Sequence, residues 1–162
     1  MQIDPTPDAG NMEKRQKLKM LFLCTGNSCR SQIAEGWARH LKGNEIEAHS
    51  AGIEPERLDL LAVKVMAEAG VDISGHRPKR VEQMKNVAFD YVFTVCDQAH
   101  EQCSHFPAKV RVVHTSFDDP PRLAAEATSE QEVLACYRRV RDKIKAFTEE
   151  LPQALESDHA KE

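Results

Sequence analysis

The chain has 162 residues, 41% of them hydrophobic, with a formal net charge of -4 and a pI near 6.0. That size predicts one domain around an ordinary buried core, and the weak negative balance gives no general attraction for nucleic acid or an anionic membrane. No run approaches the roughly 18 apolar residues of a membrane span, and the opening MQIDPTPDAGNMEKRQK carries charges and prolines where a signal peptide needs an apolar segment. The expectation is a cytoplasmic monomer with no nucleic acid and no membrane as partner. The five cysteines are an odd number in a chain large enough to fold without staples, which fits catalysis, redox switching, metal binding or packing better than a secreted disulfide framework.

Residues 1–17 read as a polar tail, 18–152 as a single α/β domain, and 153–162 as a second polar tail. Lys19 to Leu23 is a short apolar run that passes through Cys24-Thr-Gly-Asn-Ser-Cys-Arg30 into a segment where Ile33, Trp37 and Leu41 recur every four residues, the pattern of strand, loop and helix. Glu45 to Ser50 predicts a second strand. A turn around Pro55 and an apolar helix pattern from Leu58 to Ala69 follow, stopped by Gly70. Asp90 to Val95 and Val110 to His114 read as strands separated by a polar segment of one or two helical turns. Val133, Tyr137, Val140, Ile144 and Phe147 then mark a helix within Ser129 to Leu151. Strands alternating with helices predict a four-stranded parallel sheet with helices on both faces. Ligands of such sheets sit at the carboxyl ends of the strands, where Cys24, Cys96 and Asp118-Asp119 all fall.

Cys24 and Arg30 bracket five small or polar residues between a strand and a helix. Their successive N–H groups can form a concave anion nest, with the positive end of the helix aimed at the same spot. Gly26 permits a backbone angle that other residues resist, and Arg30 offers a planar fork for two oxygens of a tetrahedral oxyanion. The expected oxyanion site is Thr25, Gly26, Asn27, Ser28, Cys29, Arg30 and Ser31. Cys24 is the expected nucleophile, its pKa lowered by the helix end and the guanidinium. The bland alternative makes Cys24 a core cysteine and Arg30 a surface cation. A nucleotide-binding loop would end Gly-Lys-Ser/Thr, and no such ending occurs here.

Cys24-Thr-Gly-Asn-Ser-Cys-Arg-Ser31 resembles the signature loop of the low-molecular-weight protein tyrosine phosphatase fold, and the resemblance covers about residues 19 to 150. It leaves a phosphatase and a thiol-dependent arsenate reductase in competition. Thr94-Val-Cys-Asp-Gln-Ala-His-Glu-Gln-Cys103 is similar to the redox segment of thioredoxin-coupled arsenate reductases, whose triple-cysteine pattern matches as Cys24, Cys96 and Cys103. Asp119 resembles the general acid of the family's Asp-Pro loop. Where the phosphatases usually continue with an aromatic residue after Asp-Pro, this chain has Pro121-Arg122, which favours a small inorganic substrate. The resemblance therefore implies an oxidoreductase that takes arsenate on Cys24, with Arg30 and Asp119 assisting, and passes the oxidation through Cys96 and Cys103 to thioredoxin, without an organic cofactor.

Residues seven apart on a helix are separated by about 10.5 Å, whereas a disulfide needs Cα atoms within about 7 Å. If Cys96 and Cys103 are joined, the segment Asp97 to Gln102 must leave regular helix, and it is expected to be polar, weakly packed and redox-responsive. Packing alone would explain one or both cysteines. A zinc site of Cys96, His100, Cys103 and His105 is a further alternative, but it lacks the common Cys-x2-Cys pair. Asn27 and Ser50 resemble loop-bracing positions of the family. Some members hold a potassium ion there with a carboxylate after the counterpart of His76; here Arg77-Pro78-Lys79 stands in that place, so the Lys79 ammonium is expected to replace the ion. Ser31 is placed either to steady the Cys24 thiolate or to cap the helix. Cys29 and Cys136 have no assigned chemistry.

Overall fold

In the computed structural model, residues 16–102 and 110–155 are described. Strand β1, Leu18–Cys24, carries Met20, Leu21, Phe22 and Leu23 with no solvent exposure. Successive side chains of a strand point to opposite faces, so full burial of four in a row means that both faces are covered, as in the centre of a parallel sheet. The order is β2-β1-β3-β4, with β2 at Ile46–Gly52, β3 at Tyr91–Thr94 and β4 at Arg111–His114, and every neighbouring pair is parallel. The chain moves outward from β1 on one side to β2 and on the other to β3, so the order reverses between β1 and β3. The crevice at the carboxyl ends of those two strands is where such sheets bind ligands.

Helix α1, Arg30–Lys42, buries Ile33, Ala34, Trp37 and Ala38 and packs against β1, β2 and the long helix α5, Glu130–Glu149. The Trp37 ring is buried and its Nε1–H reaches the Arg141 carbonyl at 3.2 Å. Helix α2, Leu60–Glu68, starts where the Asp59 carboxylate accepts from the Leu61 amide at 2.9 Å, and Gly70 follows it at φ 87. Ser129 caps α5 by accepting from Glu132 N. Along α5, Leu134, Tyr137, Val140 and Ile144 are buried at helical spacing, so its apolar stripe joins the core. Two short helices line the crevice, α3 at Asp97–Gln102 and α4 at Pro120–Leu123.

The strands and long helices lie where the sequence predicts them, within a few residues. Three features differ. The 3₁₀ turn Val81–Met84 and helix α4 have no periodic signal because each is about one turn long. Leu155, beyond the expected domain edge at 152, is buried in the core. Between β3 and β4 the polar segment forms the short helix expected there, with Asp97, Gln98, His100 and Glu101 exposed and Ala99 buried in the core, while Cys24, Cys29, Cys96 and Cys136 are free thiols.

Candidate active site

The loop between β1 and α1 is held from inside by one asparagine. Asn27 sits at φ 50, the left-handed region that asparagine tolerates better than most residues. Its Oδ1 accepts from Gln32 Nε2 at 3.1 Å and from the Lys79 amide at 2.8 Å, which leaves Nδ2 to donate to Ser31 Oγ at 2.8 Å. Ser31 then has its own hydrogen free for Cys24 Sγ, 2.8 Å away, while Asn27 N donates to the same sulfur at 3.2 Å. Upstream, Gln32 Oε1 is 2.9 Å from His76 Nδ1. Burial lowers the His76 pKa, favouring a neutral ring whose Nδ1–H points at Gln32. The chain from His76 through Gln32, Asn27 and Ser31 thus runs in one donor direction and ends at the sulfur.

Three expectations change here. The left-handed residue is Asn27, and Gly26 instead makes room for the Glu56 side chain, which a Cβ would meet at 3.3 Å. Ser31 does not cap α1; the cap position is Cys29, whose side chain makes no capping hydrogen bond, and the Ser31 hydroxyl is committed to Cys24. The Cys24 thiol is pushed up rather than down, because complete burial outweighs the hydrogen bonds from the Ser31 side chain and backbone, and charge on Cys96 adds to the rise. The Arg30 guanidinium bonds the Phe117 carbonyl at 2.9 Å and faces Asp119 Oδ1 at 3.7 Å. Cys29 is also buried and pushed well above the ordinary value by burial and by the charges of Asp59 and Asp119, so it stays a thiol.

Alkylation of Cys24 follows its thiolate fraction, and a raised pKa means that the rate keeps climbing with pH past the ordinary thiol value of about 8.5. Ser31→Ala removes the strongest hydrogen bond that opposes the rise, so the profile moves to still higher pH. At neutral pH the alkylation rate drops about tenfold, the scale of one hydrogen bond to a charged group. A pH series of iodoacetamide labelling, followed by peptide mass mapping, reads both effects; an unmoved profile would show that the hydroxyl does not support the thiolate.

A pocket of about 440 Å³ opens over the loop, lined by Thr25, Arg30, Cys96, Phe117, Asp119 and Arg122 among others. Cys96 is buried, with Sγ 3.4 Å from Thr25 Oγ1 and accepting from Ala99 N at 3.4 Å. Arg30 and Asp119 face each other across this space from α1 and the start of α4. Cys103 and His105 lie outside the described residues. Of the zinc alternative, His100 is engaged with Thr94 Oγ1 at 3.3 Å and stacks on His114.

Sequence reasoning misses the supports of the loop. Gln32 reads as one polar residue among many in α1, yet it is fully buried and donates to Asn27 O, Asn27 Oδ1 and Arg77 O. Asp59 takes the Tyr137 hydroxyl at 2.7 Å and donates its amide to Ser28 O at 2.9 Å, tying α5 to the loop. Ser50 Oγ donates to Glu35 Oε1, whose carboxylate is also reached by Arg39 at 2.8 Å and by Lys79 Nζ at 3.8 Å. Lys79 Nζ donates to the Arg77 carbonyl as well. An ammonium already beside the carboxylate and carbonyl that would have to bind a potassium ion does not suit such an ion.

Gly52 is a further support, opposite Cys24 in the sheet register. A Cβ there would lie 2.7 Å from the Thr25 carbonyl and 2.9 Å from the Asn27 amide, both backbone atoms that cannot swing aside. Gly52→Ala should destabilise the fold by about 1–3 kcal/mol, the cost of overpacking, and should displace the loop. Urea denaturation checks the first effect, and loss of phosphate protection against Cys24 alkylation checks the second.

A buried thiol heading the loop after β1, a second thiol lining the switch-point crevice, and an arginine facing an aspartate across it are the parts of a thiol enzyme that works on an oxyanion. The chain belongs to the low molecular weight phosphotyrosine protein phosphatase family, whose model matches residues 19–161. It is 44% identical over 137 residues to an arsenate reductase of Halalkalibacterium halodurans, covering 82% of this chain and 96% of that protein. It is 46% identical over 123 residues to an arsenate reductase of Bacillus subtilis, covering 76% and 86%. A solved arsenate reductase in the reduced state superposes with a TM-score of 0.66 at 30% identity, covering 85% of this chain and 98% of the other.

Proposed function

We propose that this chain reduces arsenate to arsenite through a relay of Cys24, Cys96 and Cys103, with thioredoxin restoring the dithiol, and so serves arsenic detoxification. The observation that carries this reading is the place of the second thiol. Cys96 opens into the same pocket as Arg30 and Asp119, beside Thr25, and close enough for its charge to raise the Cys24 pKa. A phosphomonoesterase has no use for a thiol there. The relatives' shared name, across nearly their whole lengths, supports arsenate as the substrate.

In the first step the Cys24 thiolate attacks arsenic. The loop amides of Thr25 to Ser31 and the free N–H groups of Arg30 hold the oxygens, and Asp119 gives a proton to the departing oxygen, which leaves as water while an S–As bond forms. The Cys96 thiolate then attacks Cys24 Sγ. The S–S bond forms as S–As breaks, the electron pair stays on arsenic, and As(V) leaves as As(III) in arsenite. Cys103 next attacks Cys96, the new disulfide is Cys96–Cys103, and Cys24 departs as thiolate ready for another cycle. An external dithiol of the thioredoxin type reduces that disulfide by the same exchange.

Both electrons come from thiols, so no organic cofactor is needed, and Lys79 beside Glu35 supplies the positive charge that a potassium ion would bring. Thiols that must be regenerated suit the reducing cytoplasm, and no helix among the described residues is long and apolar enough to cross a membrane. Arsenate-dependent NADPH oxidation, measured with thioredoxin and its reductase, tests the reading. Steady turnover supports it; no arsenate consumption together with hydrolysis of an aryl phosphate would put a phosphatase in its place.

A further inference from the structure

Helix α3 begins directly after Cys96 and is tied down at both ends of its first turn by one residue from another strand. His114 of β4 reaches Asp97 Oδ1 through Nε2 at 2.9 Å and Thr94 Oγ1 through Nδ1 at 2.9 Å. His100, one turn after Cys96, stacks on the His114 ring with centroids 4.2 Å apart and planes 22° apart, and its Nδ1 lies 3.3 Å from the same Thr94 hydroxyl. His114 Nδ1 also lies 3.1 Å from the Thr94 carbonyl oxygen, so the ring is held by both the side chain and the backbone of Thr94 while Nε2 meets Asp97. Apart from Cys96 itself and Ala99, the side chains of this turn are exposed, and Gln98 Oε1 adds a long bond from the Thr25 hydroxyl at 3.4 Å.

We infer that His114, acting through Asp97 and His100, is a positioning residue for Cys96: it latches α3 in its helical, docked form and so holds the thiol beside Thr25. This rests on the relay proposed above. Docking favours attack of Cys96 on Cys24, because the sulfur is already placed. It opposes the following exchange, because a regular helix holds residues seven apart about 10.5 Å from each other whereas a disulfide needs about 7 Å. Helix α3, Asp97–Gln102, therefore has to unwind and these contacts have to part before Cys96 can be joined to Cys103. The latch therefore separates the two disulfide steps in time: Cys96 is presented first to Cys24 and only after release to Cys103. A mutation that merely loosened the fold would slow both steps; loss of the latch moves them in opposite directions.

The test uses the full-length chain, reduced, in single-turnover reactions with arsenate. In a Cys103→Ser background, His114→Ala should slow the arsenite burst about fivefold, the scale of one net hydrogen bond, with the half-saturating arsenate concentration unchanged. With Cys103 present, transfer of the disulfide to Cys96–Cys103 should instead quicken by about the same factor. Amides 97–101 should exchange faster in the reduced protein. Asp97→Ala, at a side chain 80% exposed and so harmless to the core, should reproduce all three effects. Asp97→Asn, which keeps an acceptor for Nε2–H, should restore the burst, and the His114→Ala/Asp97→Ala pair should cost no more than either change alone. Burst, transfer and exchange rates that stay at their parent values in His114→Ala and Asp97→Ala would overturn the latch, as would both steps slowing together. If Cys103→Ser alone gives no arsenite burst, the relay itself has failed. Amide exchange then decides by itself whether His114 holds α3, with faster exchange supporting the tie and unchanged exchange removing it.

Discussion

Replacing Cys103 with serine is expected to stop arsenate turnover after about one equivalent of arsenite per enzyme, because the Cys24–Cys96 disulfide then has no internal thiol to resolve it. Peptide mapping of the stalled protein should find that disulfide, which places the block one step past arsenic chemistry. Cys96→Ser should stop earlier: arsenate is taken onto Cys24, no electron pair reaches it, and no arsenite leaves. Cys24→Ser should do neither, although the loop amides and Arg30 remain to bind an oxyanion. Rapid quench with arsenite quantitation distinguishes these three blocks. A Cys103→Ser enzyme that turned over at the wild-type rate would remove Cys103 from the cycle and leave reduction of Cys24–Cys96 to an external thiol directly.

Asn27→Ala should be the most damaging change at a residue that has no chemistry of its own. It removes the acceptor for Gln32 Nε2 and for the Lys79 amide and the donor to Ser31, and it leaves an alanine at φ 50. Buried groups left unpaired cost about 1–3 kcal/mol each and a left-handed non-glycine residue about 1–2 kcal/mol. Partial rearrangement of the loop would recover some of this, for a net loss of about 3–5 kcal/mol, a large part of the about 5–15 kcal/mol that holds a domain together. Urea unfolding measures it. Two companion variants separate the causes. Asn27→Gly relieves the backbone without restoring the bonds and should recover only the strain. Asn27→Asp keeps acceptor oxygens for Gln32 and Lys79 but cannot donate to Ser31 and places a negative charge beside the sulfur. Its fold should survive better than that of Asn27→Ala while Cys24 alkylation slows further. Equal stability of wild type and Asn27→Ala would mean that the loop is held by its ends alone.

The sequence by itself determined the order of elements and the side of the sheet on which the chemistry falls. The run Lys19 to Leu23, the four-residue recurrence of Ile33, Trp37 and Leu41, and the α5 stripe from Val133 to Phe147 are local periodicities, and a local pattern suffices to choose strand or helix. Cys24 and Arg30 at either end of one short loop are equally local, so the loop proposed to hold the oxyanion is marked in the sequence before any tertiary contact is known. Legibility ended where long-range contacts begin. The direction of the Cys24 pKa depends on how completely the sulfur is buried and on the Cys96 charge brought beside it, neither of which a linear motif encodes. Gln32, Gly52 and His76 brace the loop from α1, β2 and the stretch after α2, and nothing in their own neighbourhoods marks them. The pairing of His100 with His114, fourteen positions apart in sequence, exists only because β3 and β4 lie side by side with Thr94 opposite His114. Periodicity reports which face of an element is apolar; only the packed sheet decides which polar side chains are brought within bonding distance at the ends of its strands.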